Sequence, residues 1–186
     1  MGFLEFESKI LSLKDVERTG WKIRKVSKPE SVADHSFSVA LLCRLFANDE
    51  NLDAEKCVSL ALVHDLHESI SGDICSREFE HEQEMTNVEK EEKELSALEK
   101  LLSIAPENKK LIISKIAKEY FAQKTLESKF VRDMDLVDMC LQALYYKKNN
   151  RTKKDLSDFF RSASKKIKSK TAKVLFEKVL SEFNKA

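Results

Sequence analysis

The sequence predicts an all-α protein, and three observations carry that reading. Only three Gly and two Pro occur in 186 residues, so the residues that break helices and build tight turns are scarce. Apolar residues recur at helical spacing along most of the chain. Ser31 and Thr86 are each followed three residues later by an acidic residue, Asp34 and Glu89, which is a helix-start signature.

The elements follow in order. Phe3, Phe6, Ile10 and Leu13 share one face of a short opening helix. Residues 14–30 read as a loop, with Thr19-Gly20-Trp21 inside it, and Pro29 pushes Lys28 towards an extended backbone. From Ser31 a helix runs to about Asn48, with Val32, Val39, Leu42 and Phe46 on one side. Asp53 caps the next helix, which carries Cys57, Leu60, Ala61 and His64 and fades near Ser69 to Gly72. Residues 73–85 look irregular. The helix that starts at Thr86 has Leu95, Leu98 and Leu102 as its inner stripe. Further helices fit about 107–121, 125–148, 152–166 and 171–184. The last two are rich in Lys and read as solvated outer helices.

The length suits one domain with a real core, and no repeat or linker divides it. The expected division is a single domain over 1–186, its core at about 5–150 and peripheral helices at about 151–186. Lys and Arg (33) nearly balance Asp and Glu (32), for a net charge of +1. That balance provides no electrostatic footprint for a nucleic-acid polymer or a membrane, so a small substrate is expected. No apolar run reaches the roughly 18 residues of a membrane span. The start, MGFLEFESKILSLKD, carries acidic residues and reads neither as a signal peptide nor as a good myristoylation signal. Cys43, Cys57, Cys75 and Cys140 are scattered. The first, second and fourth sit in apolar helical patterns, as buried reduced thiols of a cytoplasmic protein would.

The chemistry concentrates at His64-Asp65, inside LALVHDLHESISGD. His35 lies upstream and Asp135 far downstream in an apolar helix. Two imidazoles and two carboxylates suit a divalent cation. Neighbours on a helix point about 100° apart, so His64 and Asp65 share one ion only at a rim between helices. Such a site leaves coordination positions open, as hydrolysis requires. Glu68 lies one turn on from both and can handle a proton. Asp73 follows Gly72 and can hold a substrate hydroxyl or a water. A phosphate would want a basic group from the loop before His35, which offers Arg18, Arg24, Lys25 and Lys28. Trp21 reads equally as a hydrophobic plug or as a substrate-facing wall. His67 and His81 each open a zinc-protease-like string but lack its second histidine, so that reading is rejected. Asp133 and Asp138 are expected in solvent or capping roles.

These residues resemble the HD-domain superfamily of metal-dependent phosphohydrolases, with its H…HD…D signature. RTGWKIRKVSKPESVADHS, LALVHDLHESISGDI and SKFVRDMDLVDMCLQALYY are similar to the 5′-deoxynucleotidases, including the HD-domain-containing protein 2 type. The similarity spans roughly residues 5–150. The resemblance implies a helical bundle, commonly homodimeric, that hydrolyses deoxyribonucleoside 5′-monophosphates with one divalent cation (Mn, Co, Mg, Fe, Ni or Zn). It implies His35, His64, Asp65 and Asp135 as metal ligands and Glu68 as the catalytic carboxylate. Arg18, Gly20, Trp21, Asp73, Ile74, Cys75 and Ser76 would contact the substrate, with Trp21 beside the sugar. The chain departs from the bacterial branch at Gly20, where that branch has arginine, and at Cys75-Ser76, where it has Pro-Thr. Two rivals stay open: another HD phosphohydrolase acting on cyclic or polyphosphate substrates, and a non-catalytic helical module stabilised by a metal. Few histidines follow the His-Asp pair, against a two-metal enzyme. A structural site has no use for Glu68, against the module.

Overall fold

The computed structural model describes residues 2–75 and 86–186. Its α-helices are α1 (Phe3–Ser12), α2 (Thr19–Ile23), α3 (Val32–Phe46), α4 (Ala54–Val63), α5 (Glu68–Ser71), α6 (Asn87–Ile104), α7 (Glu107–Ala122), α8 (Leu126–Lys148), α9 (Ser157–Lys166) and α10 (Lys170–Lys185). A 3₁₀ turn at Ala47–Glu50 closes α3. Among the described residues the one β-type pairing is an isolated antiparallel bridge between Glu17 and Ser31. The expected all-α class is what the chain adopts.

The helix starts follow the local chemistry. Ser31 and Asp34 form a reciprocal capping box, with Asp34 N–H donating to Ser31 Oγ at 3.1 Å and Ser31 N–H to Asp34 Oδ2 at 3.0 Å. Thr86 and Glu89 do the same for α6. Asp53 accepts from Lys56 N–H at 3.0 Å to open α4.

Helices α3, α4 and α8 form the centre. α3 packs on α4 and α8, α4 also meets α7, and α9 and α10 lie on α8. Their shared core includes Val39, Cys43, Cys57, Leu60, Val131, Met134, Val137 and Cys140. A smaller cluster of Phe6, Leu101 and Ala105 sits under α1 and α6.

Several elements depart from the pattern read in the sequence. The stretch expected as a loop contains α2. Lys28 has φ 55, in the left-handed region rather than extended. The neighbouring Ser27 N–H is tied to the Arg151 carbonyl at 2.8 Å, so the chain turns here. In α6, Leu98 is buried as expected, but Leu95 is exposed, and Ala97 and Leu101 complete the inner face. Glu94 occupies the position one turn before them and reaches His67 at 3.9 Å, so a carboxylate interrupts the apolar stripe. The C-terminal helices are not peripheral. Phe160, Ala163, Ile167, Ala172, Phe176, Val179 and Phe183 belong to the main core cluster. Asp133, far from solvent, accepts from Lys168 N–H at 3.1 Å and Ser169 N–H at 2.6 Å, and so caps the entry to α10.

Phe160 packs on Phe183 with ring centroids 4.3 Å apart. Phe160→Ala is expected to destabilise the fold by about 3–5 kcal/mol, read from urea unfolding. A loss below about 1 kcal/mol would mean that α9 and α10 cover the core without supporting it.

Candidate metal centre and active site

The helix that carries His64 stops at the position the chemistry needs. α4 ends at Val63, and the chain then tightens. Leu66 N–H donates to Val63 O, Glu68 N–H to Asp65 O and Ile70 N–H to His67 O, all i to i−3 bonds at 3.0–3.2 Å. The break presents consecutive residues at one rim, and the short α5 follows. Ala61, in the last turn of α4, has a carbonyl free to take a side chain. It accepts from His64 Nδ1 at 2.6 Å.

A carbonyl only accepts, so His64 Nδ1 carries the proton and its Nε2 is a bare lone pair in the neutral ring. His35 is fixed the same way. Its Nδ1 lies 2.8 Å from Asp138 Oδ2 and donates to it. The two Nε2 atoms then face one another at 3.3 Å. Asp135 Oδ1 lies 3.3 Å from His35 Nε2, and Asp65 Oδ2 lies 3.1 Å from His64 Nε2 and 3.8 Å from His35 Nε2. The donor atoms of His35, His64 and Asp135 all lie within 4.8 Å of one another. Two buried lone pairs pointed at each other between two carboxylates require a positive charge there, a proton or a metal ion. The mixed nitrogen and oxygen set fits a divalent cation, and Asp138 and the Ala61 carbonyl stand where outer partners orient the imidazoles of such sites.

The electrostatics agree with that reading. Burial and the Arg18 guanidinium work against a proton on His35, but its hydrogen bonds to Asp135 and Asp138 prevail and push it up to about 10. Burial opposes charge on Asp65, yet His64 and Arg18 hold its carboxyl well below the usual range. Asp135 is likewise held low against burial by its hydrogen bond to His35. Glu68 goes the opposite way. Burial, Asp65 and Asp73 push its carboxyl well above the ordinary value, and it hydrogen-bonds Asp73. Its Oε2 is buried without a partner, so the environment of Glu68 favours the protonated acid, the opposite of its neighbour Asp65.

Arg18 sits across this group. Its Nη1 is 3.2 Å from Asp65 Oδ2 and 3.6 Å from Asp73 Oδ1, and its Nη2 is 4.0 Å from Asp135 Oδ1. The other basic residues of the loop are elsewhere: Arg24 pairs with Asp158, and Lys25 and Lys28 are exposed. Gly72 has φ +71, a backbone suited to glycine, and turns the chain so that Asp73 faces the loop. There Asp73 accepts from Thr19 N–H through its carboxylate and from Thr19 Oγ1 through its carbonyl, the latter at 2.8 Å. Asp73 therefore locks the start of α2 in place and pairs with Arg18.

Of the expected site residues, His35, His64, Asp65, Glu68, Asp73, Asp135 and Arg18 converge. Trp21 is 2% exposed, its indole against Phe159 at 4.4 Å and Tyr146 at 5.2 Å. Gly20 lies under Phe159 and Cys75, 3.5 and 3.6 Å from where a Cβ would stand. Ile74 is half-buried, and Ser76, like His81, lies outside the described residues. His67 turns to Glu94 rather than to His35 and His64. Asp138 had been expected in a solvent or capping role and instead holds His35. Glu30 was not singled out, yet its Oε1 accepts from Trp21 Nε1 at 2.8 Å. The signal for Asp138 was an acid at i+3 from Asp135 within the apolar run LVDMC.

Comparison with known proteins agrees with this geometry. The family model described as the HD domain matches residues 10–175, past the point where the quoted motifs end. A 5′-deoxynucleotidase HDDC2 of Xenopus laevis is 38% identical over 98% of this chain and 88% of its own length. The 5′-deoxynucleotidase hdd1 of Schizosaccharomyces pombe is 39% identical over 79% of this chain and 73% of its own. A solved structure of a conserved hypothetical protein from Pyrococcus furiosus superposes with a TM-score of 0.76 at 31% identity, covering 96% of this chain and 99% of that one.

Asp138→Ala is expected to weaken divalent-cation binding about 10–100-fold, measured by calorimetry on metal-stripped protein. An unchanged affinity would remove Asp138 from the site. The metal-free protein carries a pH signature. His35 binds its proton more tightly folded, at about 10, than at its ordinary 6.5. Its contribution to stability is complete below 6.5 and is lost as pH rises through about 10. The melting midpoint of chelator-treated protein is expected to fall across that window. A flat or rising midpoint would contradict the buried imidazolium.

Proposed function

The chain belongs to the HD-domain family, and on that premise we propose that it hydrolyses deoxyribonucleoside 5′-monophosphates to deoxynucleoside and phosphate, as a metal-dependent phosphomonoesterase. The observation that carries the reading is the pair of facing imidazole nitrogens, 3.3 Å apart, with the Asp65 and Asp135 carboxylates beside them and Glu68 one turn on from Asp65. The names of the curated relatives support the substrate class.

His35, His64, Asp65 and Asp135 would hold one divalent cation. When bound, the cation supplies Lewis acidity, acidifying water and neutralising phosphoryl charge. The chain's own groups do the rest. Arg18, already among three carboxylates, offers its fork to the phosphate oxygens. Water attacks phosphorus in line with the 5′ oxygen, and the bond from phosphorus to that oxygen breaks. Glu68, its carboxyl held above the ordinary range, handles a proton for the attacking water or for the leaving oxygen, which departs as the 5′ hydroxyl. Trp21, 2% exposed and packed against Phe159 and Tyr146 with its N–H on Glu30, braces the loop that carries Arg18 rather than facing the sugar.

A homodimer is the proposed assembly. Phe37, Leu41 and Leu45 form an exposed apolar stripe along α3, at the i, i+4, i+8 spacing that a partner helix or a second copy covers. Among the described residues no helix is long and apolar enough to cross a membrane. Four free thiols, three of them buried, suit a cytoplasmic setting.

Phosphate release from a panel of deoxy- and ribonucleoside 5′-monophosphates tests the activity. Glu68→Gln is expected to lower kcat by about 10²–10⁴-fold while leaving cation affinity in place. A variant within threefold of the parent would take Glu68 out of the proton transfer. For the assembly, Leu41→Glu is expected to convert a dimer to a monomer in light scattering. A monomeric parent protein would refute it.

A further inference from the structure

One residue outside the proposed ligand set stands between the loop that carries Arg18 and Trp21 and the His35–Asp138 pair. Glu30 lies at the end of the loop, next to Ser31, which caps α3. Its side chain accepts from the Trp21 indole N–H at 2.8 Å. Its backbone N–H donates to Tyr146 Oη at 2.7 Å, and its carbonyl accepts from Arg18 N–H at 3.0 Å. Tyr146 in turn packs edge-on against Trp21. On the other side, the donor atoms of Glu30, His35 and Asp138 lie within 4.8 Å of one another. That group is not a second ion site, because its atoms have partners: Asp138 takes the His35 Nδ1 proton and Glu30 takes the indole N–H.

We infer that Glu30 is a positioning residue that joins Trp21 to the His35–Asp138 pair, so that the loop carrying Arg18 and Trp21 and the metal-binding face of α3 are set as one unit. The inference rests on the divalent-cation reading of the site. Its physical basis is placement: the Glu30 carboxyl accepts from the Trp21 indole N–H and lies within 4.8 Å of the donor atoms of His35 and Asp138, while its backbone holds Arg18 and Tyr146 and runs directly into Ser31, whose carbonyl accepts from His35 N–H. A side chain fixed at both its backbone and its carboxyl sets the separation of the elements on either side of it. Outer partners of metal-binding histidines act in this way on affinity. Burial and the nearby Asp138 push the Glu30 carboxyl above its ordinary value, consistent with two carboxyl groups placed close together away from water.

The test uses the chain's single tryptophan. Metal-stripped protein is titrated with Zn²⁺, followed by calorimetry and by Trp21 emission. In the parent protein Zn²⁺ binding is expected to shift the emission. Glu30→Ala is expected to bind Zn²⁺ about tenfold more weakly or worse, with an emission that no longer responds. Glu30→Gln, which keeps an acceptor for the indole, is expected to restore the response. Trp21→Phe supplies the second arm, read by calorimetry alone. It should weaken Zn²⁺ binding in the parent background and have no effect in the Glu30→Ala background, because linkage is reciprocal. If Glu30→Ala fails to fold by circular dichroism, Trp21→Phe measured in the parent and Glu30→Gln backgrounds decides: a loss of Zn²⁺ affinity in both supports the inference, and no loss in either overturns it. Parent-like Zn²⁺ affinity and emission response in Glu30→Ala, or no effect of Trp21→Phe on the parent, overturns the inference alone. Absence of Zn²⁺ binding by the parent overturns the cation reading and the inference together.

Discussion

Two histidine rings with their outer nitrogens already committed are the constraint on which the site depends. Ala61 and Asp138 each take an Nδ1 proton, and both Nε2 atoms are left to face one another across 3.3 Å. Nothing in a neutral core satisfies that arrangement, because two lone pairs at that distance repel. A cation between them does, and so does a proton at a cost that grows as pH rises. Asp65, Asp135 and Arg18 then follow as charge compensation around a position built for positive charge.

The fold exists to bring these groups together from three distant stretches. His35 comes from the first turn of α3, His64 and Asp65 from the break after α4, and Asp135 and Asp138 from one face of α8. The packing of α3 against α4 and α8 is therefore also the assembly of the site. The loop carrying Arg18 and Trp21 is held against it by Asp73 from one side and by Tyr146 and Phe159 from the other. α9 reaches back through Phe159, so the C-terminal helices contribute to the position of the loop as well as to the core.

Much of this was legible before any coordinates. Scarce Gly and Pro, capping boxes at Ser31 and Thr86, and apolar periodicity are local signals, and local signals place helices well. The H…HD…D set was visible because its chemistry is unusual. Other parts were hidden for physical reasons. Asp138 looks like any acid on a helix until His35, over a hundred residues away, is set beside it. The Lys content of α9 and α10 masked an inner stripe of Phe160, Ala163, Phe176, Val179 and Phe183, since long cationic side chains cover an apolar face without interrupting it. The stop of α4 at Val63 carries no Gly or Pro. It depends on side-chain capture of the Ala61 carbonyl, a competition that composition does not reveal. Glu94 shifted the α6 stripe because a carboxylate was placed inward to meet His67.

X-ray absorption spectroscopy of metal-stripped protein reloaded with one equivalent of Co²⁺ addresses the central claim most directly. The expected spectrum has two imidazole nitrogens and oxygen donors in the first shell, and the imidazole scattering drops to one ring in His35→Ala. A shell of oxygen donors alone, or imidazole scattering unchanged by His35→Ala, would contradict a cation held between His35 and His64.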